Sequence, residues 1–260
     1  MIPAVLSGGP WWLYPALFLT ALLAGTADTI AGGGGLITIP VLMSFGWSPQ
    51  DALGTNKFQA SFGSGSATLH FVRAGAVSLK ACAWGIFFTA VGAASGAWAV
   101  GQVPAAFLSR LIPFLLIAMA FYVLVTPRLG MEETGSRMRP FPFYLLFGLG
   151  IGFYDGFFGP GTGSFWALAF VLCLGQEMRK ATASTKVMNF TSNILSLAVF
   201  LAMGNVHFVP GLVMAGGQFL GGRLGARLVL TRGAKLVRPV LITVAIAIAL
   251  KMLWGIYSGN

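Results

Sequence analysis

The sequence predicts an all-α integral membrane protein built from two related halves that insert in opposite orientations. Three observations support this prediction: the apolar composition, the recurrence of long apolar runs, and matching motifs at a nearly constant spacing. Of the 260 residues, 57% are hydrophobic and 8% are charged, whereas soluble domains carry about 25% charged residues. The mean hydropathy of +0.83 therefore indicates a membrane protein, because polar residues would have to cover a soluble core.

Apolar runs of about 20 residues are long enough to cross a bilayer as helices. Eight runs of roughly this length predict spans at about 12–31, 54–73, 79–99, 105–126, 141–158, 183–203, 209–230 and 237–257. Two shorter runs, at about 34–46 and 163–176, follow glycine-rich stretches, and their length leaves open whether they cross. Trp11, Trp12 and Tyr14 are typical of an interfacial belt at the start of the first span.

Internal matches divide the chain into a first transmembrane repeat at 1–127, a cytoplasmic linker at 128–140 and a second repeat at 141–260. Five matches occur in order at offsets of 127 to 129 residues: Asp28 and Gly32–Gly35 with Asp155 and Gly159–Gly163, Gly54–Lys57 with Ala183–Lys186, Gly75–Val77 with Gly204–Val206, Gly92 and Gly96 with Gly221 and Gly225, and Leu108–Arg110 with Leu236–Arg238. Five matches at nearly constant offset indicate a duplication.

The distribution of basic residues predicts the orientation of these repeats. If all ten runs cross and the linker is cytoplasmic, most Lys and Arg residues fall in cytoplasmic loops, and both termini lie outside. Repeat-related loops differ in charge. The basic residues Arg73 and Lys80 flank Gly75, whereas His207 is the only ionisable residue in the matching loop at Gly204. This pattern is expected of inverted repeats, a recurring plan of secondary transporters in which the substrate site lies where broken helices meet.

Two of the six acidic residues, Asp28 and Asp155, occupy matching places at the ends of apolar runs. An ionisable group at membrane depth costs about 2.5–3.5 kcal/mol on insertion scales. A duplicated acid at such a position therefore suggests proton or ion coupling, or a role in holding a broken helix together. The alternative is that each Asp caps the short helix that follows it, and the sequence favours neither interpretation.

The duplicated glycine clusters at 32–35 and 159–163 predict breaks in helices beside these two acids. Such a break exposes backbone N–H groups at a helix N-terminus, where an anion is favoured. Irregular backbone at membrane depth is tolerated only where it is buried in protein or lines a cavity. Close packing of helices through small residues is the alternative.

Lys57 and Lys186 form a second matching pair, and each is predicted near the start of a helix. A lysine there opposes the helix dipole, and a bound anion would compensate both the lysine charge and the positive end of the dipole. The alternative is that each lysine snorkels to the interface. Polar positions follow each lysine: Gln59 and Ser61 in the first half, and Asn189, Ser192 and Asn193 in the second. The candidate substrate-binding residues are Gly32, Gly33, Gly34, Gly35, Thr55, Asn56, Lys57, Gln59, Gly159, Gly161, Thr162, Thr185, Lys186 and Asn189, with Asp28 and Asp155 as candidate coupling residues.

Other function classes lack their motifs. His70 and His207 have no ligand spacing, so no metal is expected. The loop at Gly161 lacks the G-K-[ST] ending of a phosphate loop, and neither a G-x-S-x-G nor an H-E-x-x-H motif indicates an enzyme. No cofactor and no nucleic-acid partner is expected. A cleavable signal peptide is not expected either, because its n-region is basic and the first basic residue here is Lys57. Cys82 and Cys173 are interpreted as small apolar residues, and the paired G-x-x-x-G spacings as packing faces.

The first signature, Asp28-x-x-x-Gly32-Gly33-Gly34-Gly35-x-x-x-x-Pro40 followed by Ala52-x-Gly54-Thr55-Asn56-Lys57, resembles the first repeat of the TauE/SafE family. This family is also called the sulfite exporter or toluene sulfonate uptake permease family. The stretch around Gly159 and Lys186 is similar to its second repeat, although it departs from a clean duplication at Pro160 and Thr185. The resemblance covers nearly the whole chain. It implies transport of sulfur-containing oxyanions across the bacterial cytoplasmic membrane.

Together, the residues and the resemblance predict a secondary transporter of a small sulfur-containing oxyanion, sulfite or an organosulfonate such as sulfoacetate. Alternating access and coupling to a proton or sodium gradient are expected, because no ATP site is visible. The alternatives are an uncoupled anion channel and a transporter of another small organic anion. The expected surroundings are the lipid bilayer and the small anionic substrate, with a homodimer as a further possibility.

Overall fold

The computed structural model of the protein describes residues 12–125 and 135–232. These stretches consist of helices and short turns, with no strand among them. The helices are α1 Leu13–Ala31, α2 Gly34–Ser44, α3 Pro49–Arg73, α4 Ala83–Gly101, α5 Ala105–Val125, α6 Pro140–Phe143, α7 Leu149–Phe157, α8 Thr162–Leu174, α9 Met178–Ala202 and α10 Phe208–Arg232, with a π-helical segment, Tyr144–Gly148, between α6 and α7. The all-α class is therefore confirmed for this part of the chain. The predicted last span, both termini and linker residues 128–134 lie outside the described residues.

The first two helices form a hairpin with Gly32 at its tip. Gly32 has φ +77° and donates its N–H to the carbonyl oxygen of Asp28 at 2.6 Å, which ends α1 in a left-handed cap that suits glycine. Leu13 and Leu17 pack with Leu42, so the start of α1 lies beside the end of α2. With 11 residues, α2 rises about 16 Å, about half the thickness of a bilayer core.

A second hairpin is formed by the continuous stretch from α6 to α7 and the short helix α8. Gly161, with φ +84°, precedes the first residue of α8. Phe143 and Tyr144 pack with Phe170 and Val171, so the start of this stretch lies beside the end of α8. The 13 residues of α8 rise about 20 Å, and α8 is therefore also too short to cross a bilayer core.

The two long helices α3 and α9 run antiparallel. Phe71, near the end of α3, belongs to the same packed cluster as Ala183, near the start of α9. At the opposite end, Gly54 of α3 packs so closely on α9 that a Cβ atom there would lie 3.2 Å from the Cβ of Phe200. Because each hairpin ends beside the start of the long helix that follows it, the two hairpins enter the bundle from opposite ends.

Polar side chains of α3 and α9 face the interior, while large apolar side chains such as Phe62 and Leu201 are exposed. Each helix has 25 residues and is about 37 Å long. The buried polar residues of the two helices include Thr55, Asn56, Lys57, Gln59, Ser61, Ser64, Thr185, Lys186, Asn189, Ser192, Asn193 and Ser196. This polarity is the reverse of a soluble surface helix, and it places the hydrogen-bonding groups at the centre of the bundle.

Small residues let the outer helices approach the hairpins, as the sequence predicts. Gly92 and Gly96 of α4 lie against the backbone of α7, and Gly221 and Gly225 lie against α1. A Cβ atom at any of these positions would overlap the neighbouring helix. The interpretation of both G-x-x-x-G spacings as packing faces is therefore confirmed.

The outer surface of the bundle is apolar. Phe114, Leu23 and Trp98 expose 70%, 64% and 62% of their surface, which suits contact with lipid. By length and apolar composition alone, two of the described helices could cross a membrane, Leu13–Ile30 and Ala83–Gly101, and three more are apolar but shorter. The helices α3 and α9 are too polar to qualify because of their interior face, so the count of ten segments stays a prediction.

The predicted starts of two helices are wrong. α3 begins at Pro49, after Ser48, whose Oγ accepts the N–H of Asp51 at 3.1 Å, and α9 begins at Met178. The apolar runs miss these first turns because the turns are polar. Lys57 and Lys186 are therefore each the ninth residue of a helix, beyond the reach of the N-terminal dipole.

Candidate functional site

The tips of the two hairpins touch. A Cβ atom on either Gly32 or Gly163 would overlap the Cα of the other, and one on Gly35 would lie 3.1 Å from the Cγ of Pro160. The N-termini of α2 and α8 therefore meet. Because the first N–H groups of a helix lack intrahelical acceptors, their meeting point concentrates positive ends of backbone dipoles.

A cavity of about 30 Å³ lies at this meeting point. A buried water needs about 10–15 Å³, so the cavity holds about two water-sized groups, and a larger ligand requires the hairpins to separate. Its lining consists almost entirely of polar residues and glycine: Asp28, Gly32, Gly34, Gly35, Asn56, Lys57, Ala60, Asp155, Gly159, Thr162, Gly163, Asn189, Asn193 and Gln218.

One ion pair at the cavity joins Lys57 of α3 to Asp155 of α7. The Lys57 Nζ donates to Asp155 Oδ1 at 2.6 Å and to Asn193 Oδ1 at 3.3 Å. The second oxygen of Asp155 accepts the hydroxyl of Ser192. Both charged side chains are at least 95% buried, so each depends on the other for compensation of its charge. Asp155 does not cap α8, and the capping alternative is wrong for this residue.

The second ion pair joins Lys186 of α9 to Asp28 of α1. The Lys186 Nζ lies 2.9 Å from Asp28 Oδ2 and 2.6 Å from the Asp28 carbonyl oxygen. Asp28 Oδ1 accepts the N–H of Gly34 at 3.2 Å, so Asp28 caps α2, and this contact does not exclude the predicted coupling role. Each pair thus connects the long helix of one half to the hairpin of the other. The four charges sum to zero.

Two asparagines supply further polar groups to the cavity. Asn56 Oδ1 accepts from Thr38 Oγ1 at 2.6 Å and from Gln59 Nε2 at 3.1 Å. These donors fix the orientation of the amide and leave its NH₂ group for the cavity. Asn189 lines the same space, is 5% exposed, and has a buried Oδ1 with no partner. This oxygen is an acceptor, so its partner must be a donor such as water, whereas the NH₂ group of the same amide can donate to an anion.

Ten of the candidate residues line this cavity, and six do not: Gly33, Thr55, Gln59, Gly161, Thr185 and Lys186. Thr55 accepts the N–H of His207 at 3.0 Å, so it stabilises the start of α10. Gln59 and Lys186 act through their contacts to Asn56 and Asp28. Among the described residues, no cluster of His, Cys, Asp or Glu is suited to a metal.

Four lining residues are absent from the candidates: Ala60, Gly163, Asn193 and Gln218. Asn193 and Gly163 belong to segments that the sequence singles out. Gln218 could have been identified from the sequence, because it is a polar amide inside the apolar run of α10. Ala60 has no such signal, since its place follows only from the packing of α3.

Comparison with known proteins assigns the chain to a family. The family described as "Sulfite exporter TauE/SafE" matches residues 17–252. The chain belongs to this family. The TauE/SafE match covers nearly all of both hairpins and the whole of α3 and α9, so the resemblance seen in the sequence is confirmed.

Several relatives in the TauE/SafE family are similar along nearly their whole length. "Probable membrane transporter protein YfcA" of Escherichia coli (strain K12) is 50% identical over 93% of this chain and 90% of its own. "Probable membrane transporter protein ORF9" of Sinorhizobium sp is 48% identical over 91% of both chains. A "Probable membrane transporter protein" of Haemophilus influenzae is 44% identical over 93% of this chain and 95% of its own. No solved structure matches significantly. These relatives indicate a bacterial membrane protein of a transporter family rather than an enzyme.

Proposed function

We propose that the protein is a secondary transporter of a small sulfur-containing oxyanion, sulfite or an organosulfonate such as sulfoacetate. The observation that supports this most directly is the convergence of hydrogen-bond donors on a buried cavity. The Lys57 ammonium, the Asn56 amide and the N-termini of α2 and α8 all meet there. Several donors around one small space suit an oxyanion, whose oxygens accept hydrogen bonds in several directions.

The arrangement of the hairpins supports alternating access. The long helices are antiparallel, the hairpins enter from opposite ends, and their tips touch at Gly32 and Gly163. Inverted halves at 1–127 and 141–260 would produce this geometry, and rocking of one half against the other would open the cavity to each side of the cytoplasmic membrane in turn. The contact between the tips then closes the path between the two sides.

The charge balance of the cavity supports coupling to an ion gradient. Lys57 and Lys186 are already paired with Asp155 and Asp28, so an entering anion adds an uncompensated negative charge. Such a charge is costly at membrane depth. Entry of a proton or a sodium ion with the anion would restore neutrality.

A binding assay tests the proposed substrate class. Purified protein in detergent is expected to melt at a higher temperature in the presence of sulfite or an organosulfonate, because a ligand of the folded state stabilises it by mass action. The panel contains sulfite, sulfoacetate, methanesulfonate, sulfate, acetate and phosphate, with chloride at matched ionic strength as control. Cooperative melting without a shift for any sulfur oxyanion would refute the proposal.

Replacing Asn189 with Leu is expected to weaken binding of the stabilising anion by roughly tenfold or more, because a hydrogen bond to a charged group contributes about 1.5–3 kcal/mol. The substitution keeps the branched shape and the number of side-chain heavy atoms, and removes both hydrogen-bonding groups. Ser95→Ala is the matched control, since Ser95 is exposed on α4 and bonds only the Val91 carbonyl of its own helix. Equal affinity in the Asn189→Leu variant and the control would remove Asn189 from the site.

A further inference from the structure

We propose that Asp28 is the proton-accepting carboxylate of the transport cycle, and that in the empty protein it occupies the place which the substrate anion takes. This inference rests on the proposed anion transport and assigns its coupling step to one residue. In the described conformation Asp28 acts as an internal substitute for the substrate. Its protonation vacates the donors that the anion then binds.

The contacts of Asp28 are those of a bound anion. Its Oδ1 accepts the N–H of Gly34 at the N-terminus of α2, at 3.2 Å, and its Oδ2 accepts from Lys186 at 2.9 Å. A helix N-terminus and an ammonium group together form a favourable anion site. Asn189 lines the same cavity and is 5% exposed, and the NH₂ group of its amide is a further donor that an anion could use.

Asp28 and Asp155 differ in how firmly they are held. The side chain of Asp155 is 5% exposed, and its two oxygens are bound by Lys57 and Ser192. The side chain of Asp28 is 24% exposed and can exchange a proton with water. Asp155 is therefore the fixed partner of Lys57, and we assign the proton-accepting role to Asp28.

The charged groups around Asp28 come from three elements. Lys186 of α9 contacts it, and Lys57 of α3 and Asp155 of α7 share its cavity. α2 and α8 line the cavity with glycine and Thr162, and α10 with Gln218. Two arginines of α10, Arg223 and Arg227, are exposed. Lys186 is therefore the group whose pairing depends most directly on the charge of Asp28.

The proposed step conserves charge. A proton bonds to the Asp28 carboxylate and makes it neutral, which weakens its bonds to Gly34 N–H and to the Lys186 ammonium. Lys186 keeps its 2.6 Å bond to the Asp28 carbonyl oxygen and has donors left for a ligand, because an ammonium group has three. A monovalent anion then binds these donors. One proton and one monovalent anion have entered, so the cavity stays neutral. Release of the anion is accompanied by loss of the proton from Asp28.

Anion affinity measured against pH tests this step, with methanesulfonate as the probe because it carries one negative charge across the physiological range. In the wild type the affinity for methanesulfonate is expected to rise by up to about tenfold for each unit that the pH falls, as expected for one coupled proton. In Asp28→Asn, which mimics the neutral acid, the affinity is expected to be high and independent of pH. Asp51→Asn is the matched control, because its carboxylate is 27% exposed and bonds Asn205 away from the cavity.

Proton uptake provides a measurement that requires no variant. Adding methanesulfonate to wild-type protein in a weakly buffered solution is expected to take up about one proton per anion bound. Anion binding without proton uptake, or an unchanged pH dependence in Asp28→Asn, would overturn the assignment of Asp28 and leave anion transport intact. Failure of every sulfur oxyanion in the panel to bind would instead overturn the proposed function itself.

Discussion

Replacing Lys57 with Met is expected to lower the free energy of unfolding by about 3–5 kcal/mol, because breaking a buried ion pair leaves an uncompensated charge. Asp155 is 4% exposed and has Lys57 as its charged partner at 2.6 Å. Reversible denaturation in detergent measures the loss. Lys57 is therefore expected to stabilise the fold as well as to supply a donor to the cavity.

The double variant Lys57→Met/Asp155→Asn separates these two roles. Removal of both charges is expected to recover most of the lost stability, since no unpaired charge remains, while anion binding stays weak because the ammonium donor is absent. Arg223→Met is the control for loss of a positive charge, since Arg223 is exposed on α10. A single Lys57→Met variant as stable as the wild type would show that the pair contributes no stability.

Replacing Gly163 with Ala is expected to cost about 1–3 kcal/mol or more through overpacking, and to abolish transport. A Cβ at Gly163 would overlap the Cα of Gly32 and force the hairpin tips apart. Intrinsic propensity acts in the opposite direction, because Ala is favoured over Gly within a helix by about 1 kcal/mol. A loss of stability would therefore report the contact between the tips.

Gly150→Ala is the matched control for this substitution. Gly150 lies within α7, and a Cβ atom there would meet nothing within 4 Å. This variant is expected to keep or increase its melting temperature and to transport normally. If Gly163→Ala behaves in the same way as Gly150→Ala, the tips are not in close contact in the membrane, and the proposed barrier between the two sides is wrong.

The glycine breaks and their acidic neighbours could be predicted from the sequence because the relevant signals are local. A cluster of glycines in an apolar chain leaves few conformations other than a turn, and Gly32 and Gly161 do adopt positive φ. The capping bond of Asp28 to Gly34 spans six residues and follows from the same pattern. The predicted short runs at about 34–46 and 163–176 therefore correspond to α2 and α8.

The ion pairs could not be predicted because they join residues far apart in sequence. Lys57 and Asp155 are 98 positions apart, and Lys186 and Asp28 are 158 apart. Matching positions in two repeats identify which residues are equivalent, but not that each lysine pairs with the acid of the other half. Both lysines are paired with carboxylates, so the prediction of two free anion donors is incomplete.

Transport into proteoliposomes tests the central claim most directly. Purified protein is reconstituted, and the uptake of sulfite and sulfoacetate is followed with an inward proton gradient, with an inward sodium gradient, and with no gradient. One of the two sulfur oxyanions is expected to accumulate above its external concentration under the proton gradient, and only to equilibrate in the Asp28→Asn variant. Uptake that stops at equilibrium under every gradient would indicate a channel, and no uptake of either anion would contradict the account.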